Sequence, residues 1–290
     1  PPGADTCAVN GRDLRRGRVG EFALWNGAAF ANGVGRGVDA VLLGGAGRTS
    51  PAPIFEGQMG FEKELGVSLG NVGEVFVKRP NEKNVKEGTA AMILNTSIKY
   101  WPAEYHSQSA IEAAMFLRKE IADPAKIKSV RIESHDASVD IIGSEPEKWK
   151  PETRETADHS LPYITAIALR DGEGTEKQFQ PSRFTEPAIW KFLEEVTVQR
   201  NDELTSLYVK AVANIVHVTL QDGSVHSKRV DYPLGNAFNP VNDEQLEGKF
   251  NSLVIPALGE EGAQKLLEEG WNIDEAKSPV KLMKLAKMPA

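Results

Sequence analysis

The period of apolar and polar positions changes several times along the chain. Residues 107–121 repeat apolar side chains every three to four positions, which predicts an amphipathic helix. Within it, Ser109 and Glu112 have the spacing of a capping box at a helix N-terminus. The following segment, 127–134, alternates with a period of two and predicts a half-buried strand. The middle of the chain therefore combines helix and strand.

Further elements follow on both sides. The run IVHVTL, the turn around Asp222-Gly223 and the run VHSKRV predict a β-hairpin, since Asp-Gly favours tight hairpin turns. Helical patterns precede the hairpin in HSLPYITAIALRDG and in EPAIWKFLEEVTV, the second passing into a strand. Helical periodicity also occurs in EFALWNGAAFANGVGRGVDAVLL and IFEGQMGFEKEL, and it returns after Pro240 in DEQLEGKFNSLVI and EEGAQKLLEEGW. The sequence predicts an α+β fold.

The order of these elements predicts a domain organisation. An α+β unit over 98–238 is inserted between helical flanks at 1–97 and 239–290. With 290 residues, 40% of them hydrophobic and 26% charged, the chain is long and apolar enough to form a sizeable core. We therefore expect a folded globular protein of more than one unit.

Charge and cysteine content narrow the expected partners and compartment. A net charge of −7 speaks against nucleic acid or an anionic membrane as the main partner. The absence of a run of about 18 apolar residues predicts no membrane-spanning helix. The single cysteine, Cys7, cannot form an intrachain disulfide, which fits a reducing compartment. We expect a soluble, cytoplasmic protein.

Four segments resemble the MmgE/PrpD family. They are LWNGAAFANG with RTSPAPIFEGQMGF, then KYWPAEYHSQSAIEAA, KWKPETRETADHSLPYITAIAL and YPLGNAFNPVNDEQLEGKF, spread over most of residues 18–250 in the family's order. The resemblance implies a discontinuous all-helical domain with an inserted α+β lid, a homodimer, and an active site without cofactor in the cleft between the domains. It covers the C-terminal two-thirds of the family's length, so we expect the N-terminal region, which supplies further site residues, to be absent.

The resemblance also implies an activity. The closest similarity is to the branch that dehydrates 2-methylcitrate in the methylcitrate cycle of propionate catabolism. We therefore expect a hydro-lyase acting on a small hydroxy-tricarboxylate, with no metal and no other cofactor. A cis-aconitate decarboxylase-like enzyme remains open. So does a catalytically inactive homologue that binds carboxylates or forms a dimeric scaffold.

Dehydration of a tricarboxylate builds negative charge on an already anionic substrate, so its site needs cations and hydrogen-bond donors. Lys99 matches the family's lysine at the hinge between the domains, where it would bind a carboxylate or transfer a proton; otherwise it is a surface lysine. His106 lies just before the helix at 107–121, where helix N-termini favour anions. It is either a catalytic donor or a packing histidine. In the decarboxylase branch the catalytic histidine falls on Glu104 instead.

Three further candidates lie in the third family segment. His159 and Tyr163 are spaced i, i+4, which predicts that they share one helix face directed at the cleft. Tyr163 matches an active-site tyrosine of the family and is otherwise a core residue of the lid. Arg154 could bind a substrate carboxylate through two hydrogen bonds, or it forms an ordinary ion pair.

Two positions depart from the family pattern. Asn26 stands where the family usually has a lysine after tryptophan, and Asn236 replaces the histidine of a PLGH-type motif. We include both as substrate-binding candidates, although asparagine can form hydrogen bonds but cannot serve as a base.

Other motifs carry little weight. The GVGRG motif at 33–37 resembles a phosphate-binding loop, but it follows a helical run rather than a strand. The pair His135 and Asp136, and the pair His217 and His226, lack a third ligand at a recognisable spacing, so no metal site is predicted.

Overall fold

The structure is a computed structural model that describes residues 25–50, 54–55, 57–66, 68 and 96–287. The described residues form helices and a small four-stranded mixed sheet, which confirms the α+β class. Cys7 lies outside the described residues. The predicted boundaries at 97/98 and 238/239, and the insertion of the α+β unit as a lid, stay predictions.

The helices are numbered in chain order. They are α1 (Trp25–Gly45), α2 (Phe61–Leu65), α3 (Gln108–Glu120), α4 (Pro146–Trp149), α5 (Arg154–Ala157), α6 (Leu161–Asp171), α7 (Pro181–Phe184), α8 (Pro187–Leu193), α9 (Asp202–Leu207), α10 (Asp243–Trp271) and α11 (Val280–Leu285). Shorter helical turns occur at Tyr105–Ser107, Pro124–Lys126, Asp136–Ser138, Val139–Gly143, Glu176–Phe179 and Ile273–Glu275. The strands are β1 (Ile127–Ser134), β2 (Val196–Arg200), β3 (Asn214–Leu220) and β4 (Val225–Val230).

The four strands form one sheet in the order β2-β1-β3-β4. β1 and β2 run parallel, whereas β1 with β3 and β3 with β4 are antiparallel. The register pairs Ser134 with Arg200 on one side and with Asn214 on the other. Consequently the end of β1, the end of β2 and the start of β3 meet at one edge of the sheet.

Helices α3 and α6 pack against each other and against the sheet. Burial alternates along β1 and β3, so Val130 and Ile132 of β1 face the core together with Val216 and Val218 of β3. Helix α6 is buried from Leu161 to Leu169. Burying one such aliphatic side chain contributes about 1.5–3 kcal/mol, so this layer holds the edge of the sheet in place.

Helix α6 has clear end signals. The Ser160 hydroxyl caps it by accepting a hydrogen bond from the Tyr163 amide at 3.1 Å. Its C-terminus ends at Gly172, whose φ of 70° lies in the left-handed region that favours glycine. The helix therefore begins after His159. The prediction that His159 and Tyr163 share one helix face is wrong, because the helix begins at Leu161 and His159 lies before it.

The predicted capping box of α3 is also wrong. The N-cap is Ser107, without a side-chain hydrogen bond to the helix. The Ser109 hydroxyl instead donates to the Val212 carbonyl at 2.5 Å, and the Glu112 carboxylate accepts from the Leu234 amide at 2.7 Å. Ser109 and Glu112 therefore bond to residues distant in sequence and do not cap the helix.

Several other predicted elements are confirmed, whereas only Phe61–Leu65 of the segment IFEGQMGFEKEL is helical among the described residues. The strand at 127–134, the hairpin and the helix-to-strand passage from α8 to β2 lie where the patterns indicate them. The helical pattern after Pro240 corresponds to α10, which is interrupted at Gly259 with a φ of 71°. The GVGRG motif at 33–37 lies inside α1, so it is not a phosphate-binding loop.

Candidate functional site

Polar and aromatic side chains gather at the sheet edge where β1 ends and β3 begins. Glu104 and His106 come from the turn before α3, His135 follows β1 directly, and Tyr208 follows α9. We call these four residues the histidine cluster. His106 and Tyr208 are 102 residues apart in sequence, so the tertiary fold assembles the cluster.

Both carboxylate oxygens of Glu104 contact His106. One oxygen accepts a hydrogen bond from the His106 backbone amide at 2.7 Å, and the other lies 2.9 Å from Nδ1 of the His106 ring. The second contact is not a linear hydrogen bond and acts mainly by electrostatic attraction. Both side chains are only 13% exposed. The pair is therefore largely removed from water and held in one orientation.

The charge state of Glu104 follows from this contact. Burial opposes ionisation of the carboxyl, but the hydrogen bonds and charge of His106, with a contribution from His159, outweigh it and hold the pKa of Glu104 below its ordinary value. The negative carboxylate 2.9 Å from Nδ1 favours the tautomer of His106 that carries its proton on that nitrogen. The lone pair on Nε2 then faces the Tyr208 hydroxyl, which lies 3.2 Å away.

Asn214 fixes the backbone that carries His106. Its buried side-chain amide donates to the His106 carbonyl at 2.8 Å and to the Ser109 hydroxyl at 2.7 Å. Asn214 is the first residue of β3, so the sheet itself sets the position of His106. Such a contact holds a functional side chain with little freedom to move.

His135 supplies a second imidazole beneath the first. It is fully buried, its Nδ1 accepts from the Ser138 amide at 3.3 Å, and its ring stacks on Tyr208 with centroids 4.4 Å apart. Burial, and then the neighbouring His106, lower the pKa of His135 to about 4. The ring is therefore neutral at pH 7 with its proton on Nε2, an atom that has no hydrogen-bond partner among the described residues.

Another histidine–carboxylate pair, His159 and Asp158, lies next to the cluster. The Asp158 carbonyl accepts from the Glu104 amide at 2.9 Å, while the Asp158 carboxylate contacts Nδ1 of His159. The same ring nitrogen lies 3.0 Å from the Glu155 carbonyl. With acceptors on both sides, Nδ1 of His159 carries a proton, and His159 adds positive character near Glu104.

Lys99 and Asn236 lie on segments that are hydrogen-bonded to each other. Lys99 is exposed, and the neighbouring Ile98 amide donates to the Gly235 carbonyl at 2.8 Å. Gly235 has a φ of 92°, and a Cβ there would lie 2.2 Å from the Ile98 carbonyl oxygen, so only glycine permits this approach. The Asn236 amide donates to the Tyr105 hydroxyl at 2.8 Å, which links this segment to the residue before His106.

The remaining predicted residues lie elsewhere or are only partly described. Tyr163 is fully buried, and its hydroxyl donates to the Gln178 carbonyl. Arg154 is exposed and pairs with Glu176. Asn26 lies in α1, and its side chain is outside what the structure describes. The structure thus brings His106 and His159 together around Glu104 and leaves Tyr163 and Arg154 apart from the cluster. All seven assignments stay predictions.

Sequence reasoning missed three members of this arrangement. Glu104 entered only as the position of another branch's histidine, His135 only as a rejected metal ligand, and Tyr208 not at all. Their signal is positional, because side chains at a strand end of an α+β sheet often meet. Recognising it requires the strand order, which the sequence does not supply.

Within the described part of the chain, no three His, Cys, Asp or Glu side chains converge in a way that could hold a metal ion. None of the helices in the described ranges is both long enough and apolar enough to cross a membrane.

The chain is similar in sequence to several proteins of known name. The chain is 31% identical over 191 residues to the 2-methylcitrate dehydratase of Cupriavidus necator, covering 62% of this chain and 39% of that protein. It is 27% identical over 223 residues to the 2-methylcitrate dehydratase of Escherichia coli (strain K12), covering 73% and 46%. It is 22% identical over 202 residues to the cis-aconitate decarboxylase of Mus musculus, covering 68% of this chain and 40% of that protein.

The chain spans less than half of the length of each of these relatives. Residues 101–275 match the MmgE/PrpD C-terminal domain, and this range contains the sheet and the whole histidine cluster. Because the match extends over more than half of the sequence, the chain belongs to the MmgE/PrpD family.

Proposed function

We propose that this protein is a lyase that removes water from a small hydroxy-tricarboxylate. The observation that carries the proposal is the close contact between the Glu104 carboxylate and Nδ1 of His106 at the sheet edge. The names of the relatives, a dehydratase and a decarboxylase of small carboxylic acids, support it. 2-Methylcitrate is the first candidate substrate, because it appears in the names of the bacterial relatives.

The proposed chemistry is removal of a proton from the carbon beside a carboxylate, followed by loss of hydroxide. Imidazole is the side chain most often used as a general base. With Nδ1 of His106 held at Glu104, the basic site is Nε2, and the carboxylate stabilises the imidazolium that forms. This division of roles gives His106 the task of proton transfer and Glu104 the task of orientation.

Binding of the substrate carboxylates needs positive charge near the cluster. We propose that Lys99 supplies it, since its segment is hydrogen-bonded to Gly235 and so lies beside Asn236 and Tyr105. His159 is a second candidate donor, because its imidazolium form donates through Nε2, the ring nitrogen not directed at Asp158. Two donors of this kind would stabilise charge developing on the substrate in the transition state.

The test is turnover by the intact protein. We expect 2-methylcitrate to give an unsaturated product, followed by ultraviolet absorbance, without release of carbon dioxide. The His106→Asn variant should lower kcat by about 10²–10⁴-fold, the usual contribution of general base catalysis. The matched control is His226→Asn, because His226 also faces a glutamate, Glu120, but lies on β4 outside the cluster. Absence of turnover with 2-methylcitrate, citrate and cis-aconitate would refute the proposal, and carbon dioxide release would indicate the decarboxylase alternative.

A second candidate is a homologue that binds carboxylates without turning them over. It is favoured by Asn236, which is 8% exposed and uses both ends of its side chain, donating to Tyr105 and accepting from the Phe238 amide. These contacts are those of a scaffold residue. Calorimetric binding of citrate to the intact protein with no turnover would support this candidate.

We also propose that the protein acts as a homodimer without metal or other cofactor. Activity that survives dialysis against a chelator, and a sedimentation mass of twice the chain mass, are the expected results. Loss of activity on chelation, restored by a divalent ion, would contradict the first part of this proposal.

A further inference from the structure

The histidine cluster has an inner and an outer end. Glu104 and His106 are half-buried, whereas Tyr208 is exposed. The Tyr208 hydroxyl lies 3.2 Å from Nε2 of His106, the atom that the proposed chemistry uses as the base. Tyr208 is therefore the member of the cluster that is most open to solvent.

The direction of the hydrogen bond follows from Glu104. With the proton of the neutral ring on Nδ1, Nε2 can only accept, so the Tyr208 hydroxyl is the donor. Carboxylate, imidazole and hydroxyl then stand in the order in which serine hydrolases arrange them, where the imidazole takes the hydroxyl proton. The same order here prepares the phenol to lose its proton to His106.

Tyr208 is held in this position by the surrounding fold. Its ring stacks on His135 with an interplanar angle of 15°. Helix α9, which precedes it, is capped by Asn201 and receives a hydrogen bond from the Asp136 amide at the Thr205 hydroxyl, 3.1 Å away. The phenol is thus placed by two neighbouring elements and not by a loose surface contact.

We propose that Tyr208 is the outer member of a Glu104–His106–Tyr208 proton relay and the member that touches the substrate, an inference that rests on the proposed function. The Tyr208 oxygen takes the proton from the substrate C–H bond while its own proton passes to Nε2 of His106. The C–H electron pair forms the C=C bond, and the C–O electron pair leaves with hydroxide. Hydroxide takes a proton back from the Tyr208–His106 pair and becomes water, which restores the site.

The first test compares Tyr208→Phe with Tyr232→Phe in the intact protein. Tyr232 is 37% exposed and packs on Phe238, so the control removes an equally accessible hydroxyl from an aromatic contact outside the cluster. Tyr208→Phe keeps the ring on His135 and should lower kcat about 10²-fold with KM within about 3-fold, as expected when a proton-transfer group is lost. Tyr232→Phe should stay within about 2-fold of the parent. A Tyr208→Phe variant with kcat within about 3-fold of the parent, or higher, would overturn the relay.

The second test needs no substrate. In ¹⁵N-histidine NMR spectra of the intact protein, the Nε2 signal of His106 should show a hydrogen-bond acceptor and should shift in Tyr208→Phe but not in Tyr232→Phe. If the parent turns over no hydroxy-tricarboxylate, the proposed function fails and this spectrum alone decides on the relay contact. An Nε2 signal unchanged by Tyr208→Phe overturns the relay in either case.

Discussion

The α+β part of the chain holds two clusters of polar side chains that differ in kind. One is the histidine cluster at the sheet edge. The other, which we call the Asp171 network, comprises Asp171, Tyr163, Gln178, Arg183 and Glu186. Arg183 donates to both Asp171 oxygens at 2.6 Å and to Glu186 at 2.5 Å. The Gln178 side chain also donates to Asp171, at 3.2 Å.

The difference lies in which groups can exchange protons. Arginine stays protonated in proteins, and the hydrogen bond and charge of Asp171 raise the pKa of Arg183 further, so the charges of the Asp171 network are fixed. The histidine cluster instead contains two imidazoles, one buried carboxylate and one accessible hydroxyl. Fixed pairs suit structure, whereas titratable groups with an unused nitrogen suit chemistry. Under the proposed function we therefore expect the histidine cluster to carry catalysis and the Asp171 network to carry stability.

The largest effect should follow from Glu104→Gln. The amide keeps the size of the side chain but removes the charge that orients His106 and stabilises its imidazolium. We expect kcat to fall about 10³-fold or more, since loss of the carboxylate in comparable carboxylate–histidine pairs costs up to about 10⁴-fold. Steady-state kinetics on the intact protein measure it.

The control for this change is Glu120→Gln. Glu120 also lies beside a histidine, His226 at 3.5 Å, but on the surface and outside the cluster. It should leave kcat within about 2-fold. Equal effects of the two substitutions would remove the distinction between the cluster and other histidine–carboxylate pairs.

The next effect concerns Lys99→Ala. If Lys99 neutralises charge that develops on the substrate, kcat should fall about 10²-fold, because such electrostatic stabilisation is typically worth a few kcal/mol. The thermal midpoint should not change, since the side chain is exposed. Lys119→Ala, an exposed lysine on α3, is the control. If kcat of Lys99→Ala equals that of the parent, Lys99 is an ordinary surface lysine and does not bind the substrate.

A smaller effect should appear as pH dependence of stability. His135 has a folded pKa of about 4 against an ordinary value of 6.5, so the unfolded chain binds the proton more readily between these values. Stability is therefore complete above pH 6.5 and falls as the pH drops towards 4, by about 1–3 kcal/mol. The lowered pKa of Glu104 acts in the same direction at lower pH, below its ordinary 4.5.

Urea unfolding at several pH values measures this slope. His135→Gln should flatten it between pH 6.5 and 4, whereas His226→Gln, on the surface of β4, should leave it unchanged. A slope that survives His135→Gln would show that other groups bind the protons.

Local sequence patterns predict much of the fold but little of the candidate site. The alternation at 127–134 predicts β1 because one face of that strand is buried and the other is not. Ser109 and Glu112 misled because their partners, Val212 and Leu234, are distant in sequence. The contact between Tyr208 and His106 likewise joins residues that are 102 positions apart, so no local pattern predicts it. Periodicity encodes which face is buried, whereas contacts between elements depend on strand order.

The smallest effect separates the two readings of Tyr163. Resemblance to the family makes it catalytic, whereas its contacts place it in the Asp171 network with its hydroxyl directed at the Gln178 carbonyl. Burial raises the pKa of the Tyr163 phenol above its usual range, which opposes a role in proton transfer. Tyr163→Phe should therefore leave kcat within about 2-fold. It should lower the free energy of unfolding by about 1–2 kcal/mol, because the Gln178 carbonyl loses a buried donor.

Urea unfolding and steady-state kinetics on the same preparation decide between them, with Tyr232→Phe as the control for loss of a hydroxyl from an exposed ring. A fall in kcat of about 10²-fold at unchanged stability would make Tyr163 catalytic and would join the Asp171 network to the active site. The opposite result leaves the network as the rigid support behind α6, because its fixed charges tie the end of that helix at Asp171 to Arg183 and Glu186. Proton transfer then belongs to the sheet edge, where the imidazoles lie.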